Sequence, residues 1–368
     1  MKRVLTWLKK EIVLTVAWVL AAVTAFVVPP DGGYIDYVDV HTLGLLFCLM
    51  AVMALFQRLG LFDRLGEALL KKAASTRQVE FILVFLCFVS SCVLTNDVAL
   101  ITFVPFAITV LELSGLRRRL VPVVVMQTVA ANLGSMLTPI GNPQNLYLYG
   151  RSGLSLVEFV AVTAPYALAS AVMLAVWLLA RKSESTTLPE GKVREPLPRG
   201  RTAVYAALFA VSLGAVAHVV PVWVAVAVVF AAAAITDRAA LKEVDWALLA
   251  TFVGFFIFVG NMGRMPFCAQ LLRRLVEGRE VLSAALASQC ISNVPAALLL
   301  SGFTQNWEGL IVGTNLGGLG TLIASMASLI SYKALASHLP GEKGRYMAVF
   351  TGANLVFLAV LLALAAVL

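Results

Sequence analysis

The chain has 368 residues, of which 60% are hydrophobic and 13% are charged, and its mean hydropathy is +0.91. Soluble domains carry about 25% charged residues, so this composition excludes a soluble globular protein and indicates one that is surrounded by lipid. The net charge of +8 comes from basic residues in the gaps between apolar runs, which is typical of membrane orientation signals and argues against a nucleic-acid partner.

Apolar runs long enough to cross a bilayer, which takes about 20 residues, follow one another along the chain. We predict spans at 12–28, 40–57, 120–149, 156–180, 202–219, 221–236, 246–262, 309–332 and 346–367. The basic segment 1–10 leads into the first of them, and we expect a retained helix there rather than a cleaved signal peptide. Two other apolar stretches, 79–113 and 281–304, contain a polar tip, so each could be two spans or one re-entrant hairpin.

The distribution of basic residues decides between these topologies. If both stretches are hairpins, most of the 28 lysine and arginine residues fall on one side of the membrane, which the positive-inside rule places in the cytoplasm together with the N-terminus. The two halves then have opposite orientations. We predict an N-terminal half at 1–181, a cytoplasmic linker at 182–201 and a C-terminal half at 202–368, which together form one membrane unit.

Short polar sequences interrupt the apolar runs at corresponding places in the two halves. The hairpin tips are Thr95-Asn96-Asp97 and Ser292-Asn293-Val294, and the helix breaks follow at 132–143 and 315–325. Five break residues recur at one constant offset, so that Asn132, Leu133, Gly134, Thr138 and Ile140 match Asn315, Leu316, Gly317, Thr321 and Ile323. Repeated polar breaks at membrane depth are typical of secondary transporters, in which broken helices hold the substrate and ions near the midplane.

The helix breaks offer groups that can bind cations and groups that can bind anions. Freed carbonyl oxygens suit a cation such as Na⁺, and freed amides at the N-termini of half-helices suit anions. The predicted substrate-binding residues are Asn96, Asp97, Asn142, Asn145, Asn293, Val294, Thr321 and Ser325. The predicted cation-binding and coupling residues are Thr95, Asn96, Asp97, Asn132, Gly134, Thr138, Ser292, Asn293, Asn315 and Gly317. The alternative is helix packing, in which small residues let helices approach closely.

Asp97 is the one acid deep inside an apolar run, whereas the equivalent residue of the second half is Val294. A charged group at that depth is costly, so we interpret Asp97 as a functional residue. It could carry a proton, bind Na⁺, or cap its helix by accepting hydrogen bonds from the amides of Ala99 and Leu100.

Catalytic motifs are missing from the sequence, which has no Ser/His/Asp set, HExxH, Walker loop or GxGxxG. We therefore do not expect an enzyme, and we expect no cofactor or metal beyond Na⁺ or H⁺ as the coupling ion. The remoter functional alternative is a passive ion channel, for which polar residues would line several helices rather than concentrate at the breaks.

These motifs resemble the ion transporter superfamily, which includes citrate transporters, divalent anion–sodium symporters, arsenite permeases and YbiR-type anion permeases. The resemblance rests on four segments within about 40–365, namely 95–100, 138–145, 292–296 and 313–318. It implies an all-α polytopic membrane protein made of two inverted-topology repeats, each with a re-entrant helical hairpin and a broken, unwound transmembrane helix. It also implies elevator-type movement, a bacterial inner-membrane location and a homodimer.

The resemblance also bears on the substrate, which we expect to be a small inorganic or organic anion. Dicarboxylate transporters of this superfamily carry Ser-Asn-Thr at both tips, and here Asp97 and Val294 replace the threonines. An acid beside the substrate repels a carboxylate, so the tips look more like those of the arsenite-permease and YbiR-type branches. The nearer functional alternative is therefore efflux of arsenite or another metalloid oxyanion, coupled to protons.

Overall fold

The structure is a computed structural model that describes residues 11–71, 73–186 and 197–368. Within these ranges the chain is helical, and its one β-type contact is an isolated bridge between Ser75 and Ser185. The predicted basic segment 1–10 and the middle of the predicted linker lie outside the described residues.

The N-terminal half contains helices α1 (Ile12–Val27), α2 (Val40–Arg58), α3 (Leu61–Leu70), α4 (Thr76–Ser91), α5 (Asn96–Leu113), α6 (Leu120–Gly134), α7 (Pro143–Ser152) and α8 (Leu156–Leu179). A single turn at Tyr34–Tyr37 precedes α2, and short 3₁₀ turns at Arg117–Arg119, Ser135–Leu137 and Pro139–Gly141 flank α6. We call α4 and α5, which pack against each other, hairpin 1.

The C-terminal half contains helices α9 (Arg199–Val216), α10 (Val222–Thr236), α11 (Trp246–Gly263), α12 (Pro266–Val276), α13 (Glu280–Ile291), α14 (Asn293–Ser301), α15 (Trp307–Leu316), α16 (Met326–His338) and α17 (Lys343–Ala365). Short turns lie at Ala240–Glu243 and Pro340–Glu342. We call α13 and α14, which also pack against each other, hairpin 2.

The predicted all-α membrane architecture is confirmed. Six helical stretches in the described ranges are long and apolar enough to cross a membrane: Val40–Arg58, Asn96–Leu113, Arg117–Leu137, Leu156–Leu179, Trp246–Gly263 and Pro340–Ala365. Large apolar side chains such as Phe26, Val157 and Ile235 are 89%, 78% and 83% exposed on the protein, a surface that water would disfavour and lipid tails accept.

Two of the helix boundaries that differ from the prediction have a local cause in a proline. α9 begins at Arg199, inside the predicted linker, because Pro198 with a φ of −65° is already set for helix entry. α16 continues to His338 instead of stopping near 332, and it ends where Pro340 forces Leu339 out of the helical conformation. The predicted ends were placed where the hydropathy falls, and both helices extend beyond that point into polar sequence.

The centre of the molecule is α6, in which every residue from Leu120 to Gly134 is buried. Hairpin 1, α8, α16 and α17 all pack around it. Each half also has a helix that packs on the other half, since α1 packs along α11 and α10 packs along α2. The two halves are therefore interlocked and place both hairpin tips inside one helical body.

Candidate functional site

The tip of hairpin 1 is a short loop, 92–95, between α4 and α5. Thr95 caps α5, since its Oγ1 accepts a hydrogen bond from the amide of Val98 at 3.4 Å. The amide oxygen of Asn96 accepts from the backbone N–H of Asp97 at 2.9 Å, which leaves its Nδ2 free to reach another segment. The tip thus presents an amide donor from the first turn of a helix.

The tip of hairpin 2 is tighter, because Ser292 alone joins α13 to α14. Its φ of 74° with ψ of 155° lies in a region that residues with a side chain rarely adopt. The amide oxygen of Asn293 accepts from the N–H of Val294 at 3.0 Å, which repeats the arrangement of Asn96. The backbone N–H of Asn293 donates to the carbonyl of Ala324 at 2.9 Å.

The two tips are connected through the helix breaks. Oδ1 of Asn132 accepts a hydrogen bond from Nδ2 of Asn96 at 3.0 Å and another from Oγ of Ser325 at 2.9 Å. Ser325 follows Ala324, which holds the tip of hairpin 2. Four residues that the sequence predicted for the site, Asn96, Asn132, Asn293 and Ser325, therefore lie in one chain of contacts.

The two matching asparagines of the breaks, Asn132 and Asn315, also reach into the other half of the chain. Nδ2 of Asn315 donates to Oδ1 of Asn145 at 2.6 Å, and Nδ2 of Asn132 lies 3.5 Å from Oγ of Ser328. Asn145 and Ser328 stand at the same offset from each other as Asn132 and Asn315 do. The amide of Asn145 further donates to carbonyls inside the first break, at distances of 3.3–3.4 Å.

The contacts between each break and its own hairpin recur as well. Gly134 lies against Ser91 of α4, and Gly317 lies against Ser288 of α13, with each Ser Oγ 2.6 Å from where a Cβ would stand. A Cβ at either glycine would overlap atoms of the hairpin, so a side chain there would have to displace part of this contact.

Cys92 and Gln289, which the sequence did not single out, also make matching contacts in the two halves. Sγ of Cys92 donates to the carbonyl of Gly134 at 3.1 Å, and Nε2 of Gln289 donates to the carbonyl of Gly317 at 3.0 Å. Thr138 and Thr321 return the contact by donating their hydroxyls to the carbonyls of Cys92 and Gln289, respectively. Cys92 and Gln289 stand at equal spacing before Asn96 and Asn293, and that spacing is the signal that could have identified them.

Asp97 faces a cavity of about 120 Å³ that Thr95, Asn142, Asp245 and Glu243 also line. The interpretation of Asp97 as a helix cap is wrong, because Thr95 caps α5 and the amide of Ala99 donates to the carbonyl of Thr95. Within the described residues the carboxylate of Asp97 accepts no hydrogen bond and forms no ion pair. It is available to a proton or to a cation.

The mouth of this cavity lies where α2 ends near the connection between α10 and α11. Arg58 holds the connection, with its Nε 2.7 Å from Asp237 and its Nη1 2.8 Å from Glu243. The neighbouring guanidinium of Arg58 lowers the pKa of the Asp237 carboxyl below its usual value. Glu243 and Asp245 are exposed, so two exposed acids line the cavity that Asp97 faces.

Several predicted residues have unused polar atoms inside the protein. Oδ1 of Asn142 and Oδ1 of Asn315 are buried without a hydrogen-bond partner, as are both amide atoms of Gln144. Unpartnered oxygens of this kind are uncommon in protein interiors and are suitable neutral ligands for a small hard cation. The described residues contain no group of three or more His, Cys, Asp or Glu that could hold a metal ion.

Other predicted residues occupy different positions. Val294 is buried and apolar, and Thr321 is exposed beside Gln289. The asparagines of the tips and breaks are at most 4% exposed, so the contact chain is closed to solvent in this conformation.

Comparison with known proteins adds the family. A sequence profile described as "Citrate transporter" matches residues 4–306. The inner membrane protein YbiR of Escherichia coli is 34% identical over 80% of this chain and 80% of its own length. An uncharacterized transporter of Methanocaldococcus jannaschii is 28% identical over 80% of this chain and 81% of its own length. A silicon efflux transporter of Oryza sativa is 33% identical, over 39% of this chain and 29% of its own length.

Proposed function

The chain belongs to the citrate transporter family of the ion transporter superfamily and is a membrane transporter, and from that premise we propose that it moves a small anion by secondary active transport. The observation that carries this proposal is the chain of contacts from Asn96 through Asn132 and Ser325 to the segment that holds Asn293. Amide donors from two hairpin tips, which converge inside the membrane body, suit an anion.

The proposed mechanism is alternating access by two inverted repeats with re-entrant hairpins. The recurring contacts of Ser91, Cys92 and Gly134 with those of Ser288, Gln289 and Gly317 support a repeated unit. The reciprocal packing of α1 on α11 and of α10 on α2 supports an approximate twofold relation between the units. In an elevator-type movement the hairpins and breaks would travel together past α2 and α11.

The proposed setting is the bacterial inner membrane with a cytoplasmic N-terminus. The name of the related inner membrane protein YbiR and the distribution of basic residues support it. A homodimer stays a prediction that rests on the resemblance to the superfamily.

Coupling to Na⁺ or H⁺ is proposed to run through Asp97. Its carboxylate has no partner in the described residues and faces a cavity that two exposed acids line. The unpartnered oxygens of Asn142 and Asn315 would supply further cation ligands. A second candidate function, proton-coupled efflux of a metalloid oxyanion, is favoured by this free carboxylate together with the similarity to a silicon efflux transporter.

The test is transport into proteoliposomes, with sulfate, phosphate, citrate and arsenite as the trial substrates. We expect Asn96→Ala and Asn293→Ala each to reduce transport of the accepted anion about tenfold or more, since each removes a hydrogen bond to a charged group. The control is Asn261→Ala, which removes a buried amide that bonds Thr24 and Tyr34 instead.

The results of these transport assays test the proposed site and distinguish the two candidate functions. Folded Asn96→Ala and Asn293→Ala proteins that transport at wild-type rates would refute the proposed site. Arsenite transport with no transport of the other anions, together with improved growth of arsenite-challenged cells that express the protein, would select metalloid efflux over anion uptake.

A further inference from the structure

A second concave site lies away from the hairpin tips, where three connections meet on the basic face. The segment after α5, the segment after α8 and the turn between α16 and α17 enclose a cavity of about 850 Å³. Six basic side chains line it: Arg117, Arg118, Arg119, Arg181, Lys182 and Arg345. Its volume falls in the range of about 300–1,000 Å³ that small-molecule sites occupy.

Two of these basic side chains, Arg119 and Arg181, are held in place by a buried acid. Glu80 is fully buried in α4, and its carboxylate bonds Nη1 of Arg119 at 2.8 Å and Nε of Arg181 at 2.7 Å. Arg119 also donates to the carbonyl of Lys182 at 3.0 Å. One buried acid therefore joins the segment after α5 to the segment after α8 and holds two guanidinium groups at the cavity wall.

Arg345 pairs with Glu342 at 3.4 Å, but in the described part of the chain the remaining positive charge of the lining is not neutralised. Within the described residues the side chains of Arg117, Arg118 and Lys182 form no ion pair, while the acids on the lining are Glu184 and Glu342. An orientation anchor needs only exposed basic residues, whereas these residues surround a cavity. The arrangement has the form of a binding site for an anion.

Two helix N-termini add to this positive potential. α6 begins next to Arg119 and α17 begins next to Glu342, and neither helix has a side-chain cap on its first amides. The positive end of the helix dipole favours anions, and phosphate above all. The two helices have 15 and 23 residues, so both dipoles are fully developed.

We propose that this cavity binds a phosphate-bearing anion between the three connections. The guanidinium forks of Arg117 and Arg118 match phosphate oxygens in pairs, and basic pockets at the cytoplasmic ends of membrane helices accept anionic headgroups. The phosphate belongs either to an acidic phospholipid of the surrounding leaflet or to a soluble phosphate compound. The bound anion bridges segments from both halves of the chain, because Arg345 follows α16 and the other five basic residues precede α9.

The test is the melting temperature of the detergent-purified protein at fixed ionic strength with two probes. One is short-chain phosphatidylglycerol, compared with phosphatidylcholine of the same chain length, and the other is inorganic pyrophosphate. We expect one probe to raise the melting temperature by mass action. The double variant Arg117→Gln/Arg118→Gln should weaken the apparent affinity about tenfold or more, as loss of two basic residues at an anionic surface predicts.

Two further variants make the result decisive. Arg273→Gln/Arg274→Gln removes an adjacent exposed pair on α12, outside the cavity, and should leave the affinity unchanged. Lys182→Gln, on a different connection, should weaken the affinity and guards against a folding defect of the double variant. Stabilisation by phosphatidylglycerol alone identifies a lipid headgroup, and stabilisation by pyrophosphate identifies a soluble phosphate. No stabilisation by either probe, or an equal loss in the Arg273/Arg274 control, would overturn the proposal.

Discussion

Hairpin 1 and hairpin 2 each have a buried carboxylate near the base, and the partners of the two carboxylates differ. Glu80 of hairpin 1 pairs with two arginines, whereas Glu280 of hairpin 2 accepts from Oγ1 of Thr304 at 2.9 Å and lies 3.4 Å from Nδ2 of Asn306. Hairpin 1 is therefore anchored by charge to distant parts of the chain, and hairpin 2 by neutral donors from the next connection.

The tips of the two hairpins also differ, in both backbone conformation and charge. Hairpin 1 has a relaxed loop, with Thr95 at a φ of −71°, and carries the ionisable Asp97. Hairpin 2 turns on the single residue Ser292 and carries the apolar Val294. The two hairpins share the asparagine that we propose for substrate binding, but only the tip of hairpin 1 carries an acid. Under the proposed function, the comparison teaches that the contacts of a hairpin can recur while the coupling residue is confined to one of the two hairpins.

The largest expected effect on stability comes from replacing the buried carboxylates at the foot of the two hairpins. Glu80→Gln leaves Arg119 and Arg181 without their buried counter-charge and should cost about 3 kcal/mol of stability. Glu280→Gln leaves neutral partners and should cost about 1 kcal/mol. Thermal unfolding in detergent measures both variants. An equal decrease in melting temperature would show that charge does not distinguish the two anchors.

The glycines at the breaks come next. A Cβ at Gly134 would collide with the backbone carbonyl of Phe88, whereas at Gly317 the nearest atoms, Oγ and Cβ of Ser288 and the carbonyl oxygen of Gly313, stand farther away at 2.6–2.8 Å. Gly134→Ala should therefore destabilise the protein by about 1–3 kcal/mol, and Gly317→Ala by less. Melting temperatures of the two variants side by side test this order, and the reverse order would refute the packing described for the first break.

The smallest effect concerns the strained tip. Ser292→Gly should raise stability by about 1 kcal/mol, since glycine adopts a positive φ without a clash. Ser292→Ala keeps the Cβ and loses the hydroxyl, so it should bring no gain. If the alanine variant were stabilised as much as the glycine variant, the strain at this tip would not be the cause.

Both tips and both breaks are predictable from the printed residues because Pro, Gly and Asn interrupt apolar runs that would otherwise continue as helices. The contacts of Glu80 cannot be predicted in this way. Its partners Arg119 and Arg181 lie on two connections that come close to each other only in the packed fold. Cys92 and Gln289 escaped the sequence analysis because they differ in chemistry although they make the same contact. The sequence left a cap as one of three roles for Asp97, and the structure gives the cap of α5 to Thr95, as both residue types cap helices.

The central claim is that ion coupling resides at the tip of hairpin 1, and the most direct test is the melting temperature in sodium chloride and in choline chloride across pH. The wild type, Asp97→Asn and the control Asp36→Asn, which alters an exposed acid, would be compared. We predict that sodium-specific stabilisation, or a pH-dependent change in melting temperature, is present in the wild type and the control and disappears in Asp97→Asn. A sodium effect identifies Na⁺ as the coupling ion, and a pH effect without it identifies H⁺. Identical behaviour of the wild type and Asp97→Asn under all conditions would contradict the account.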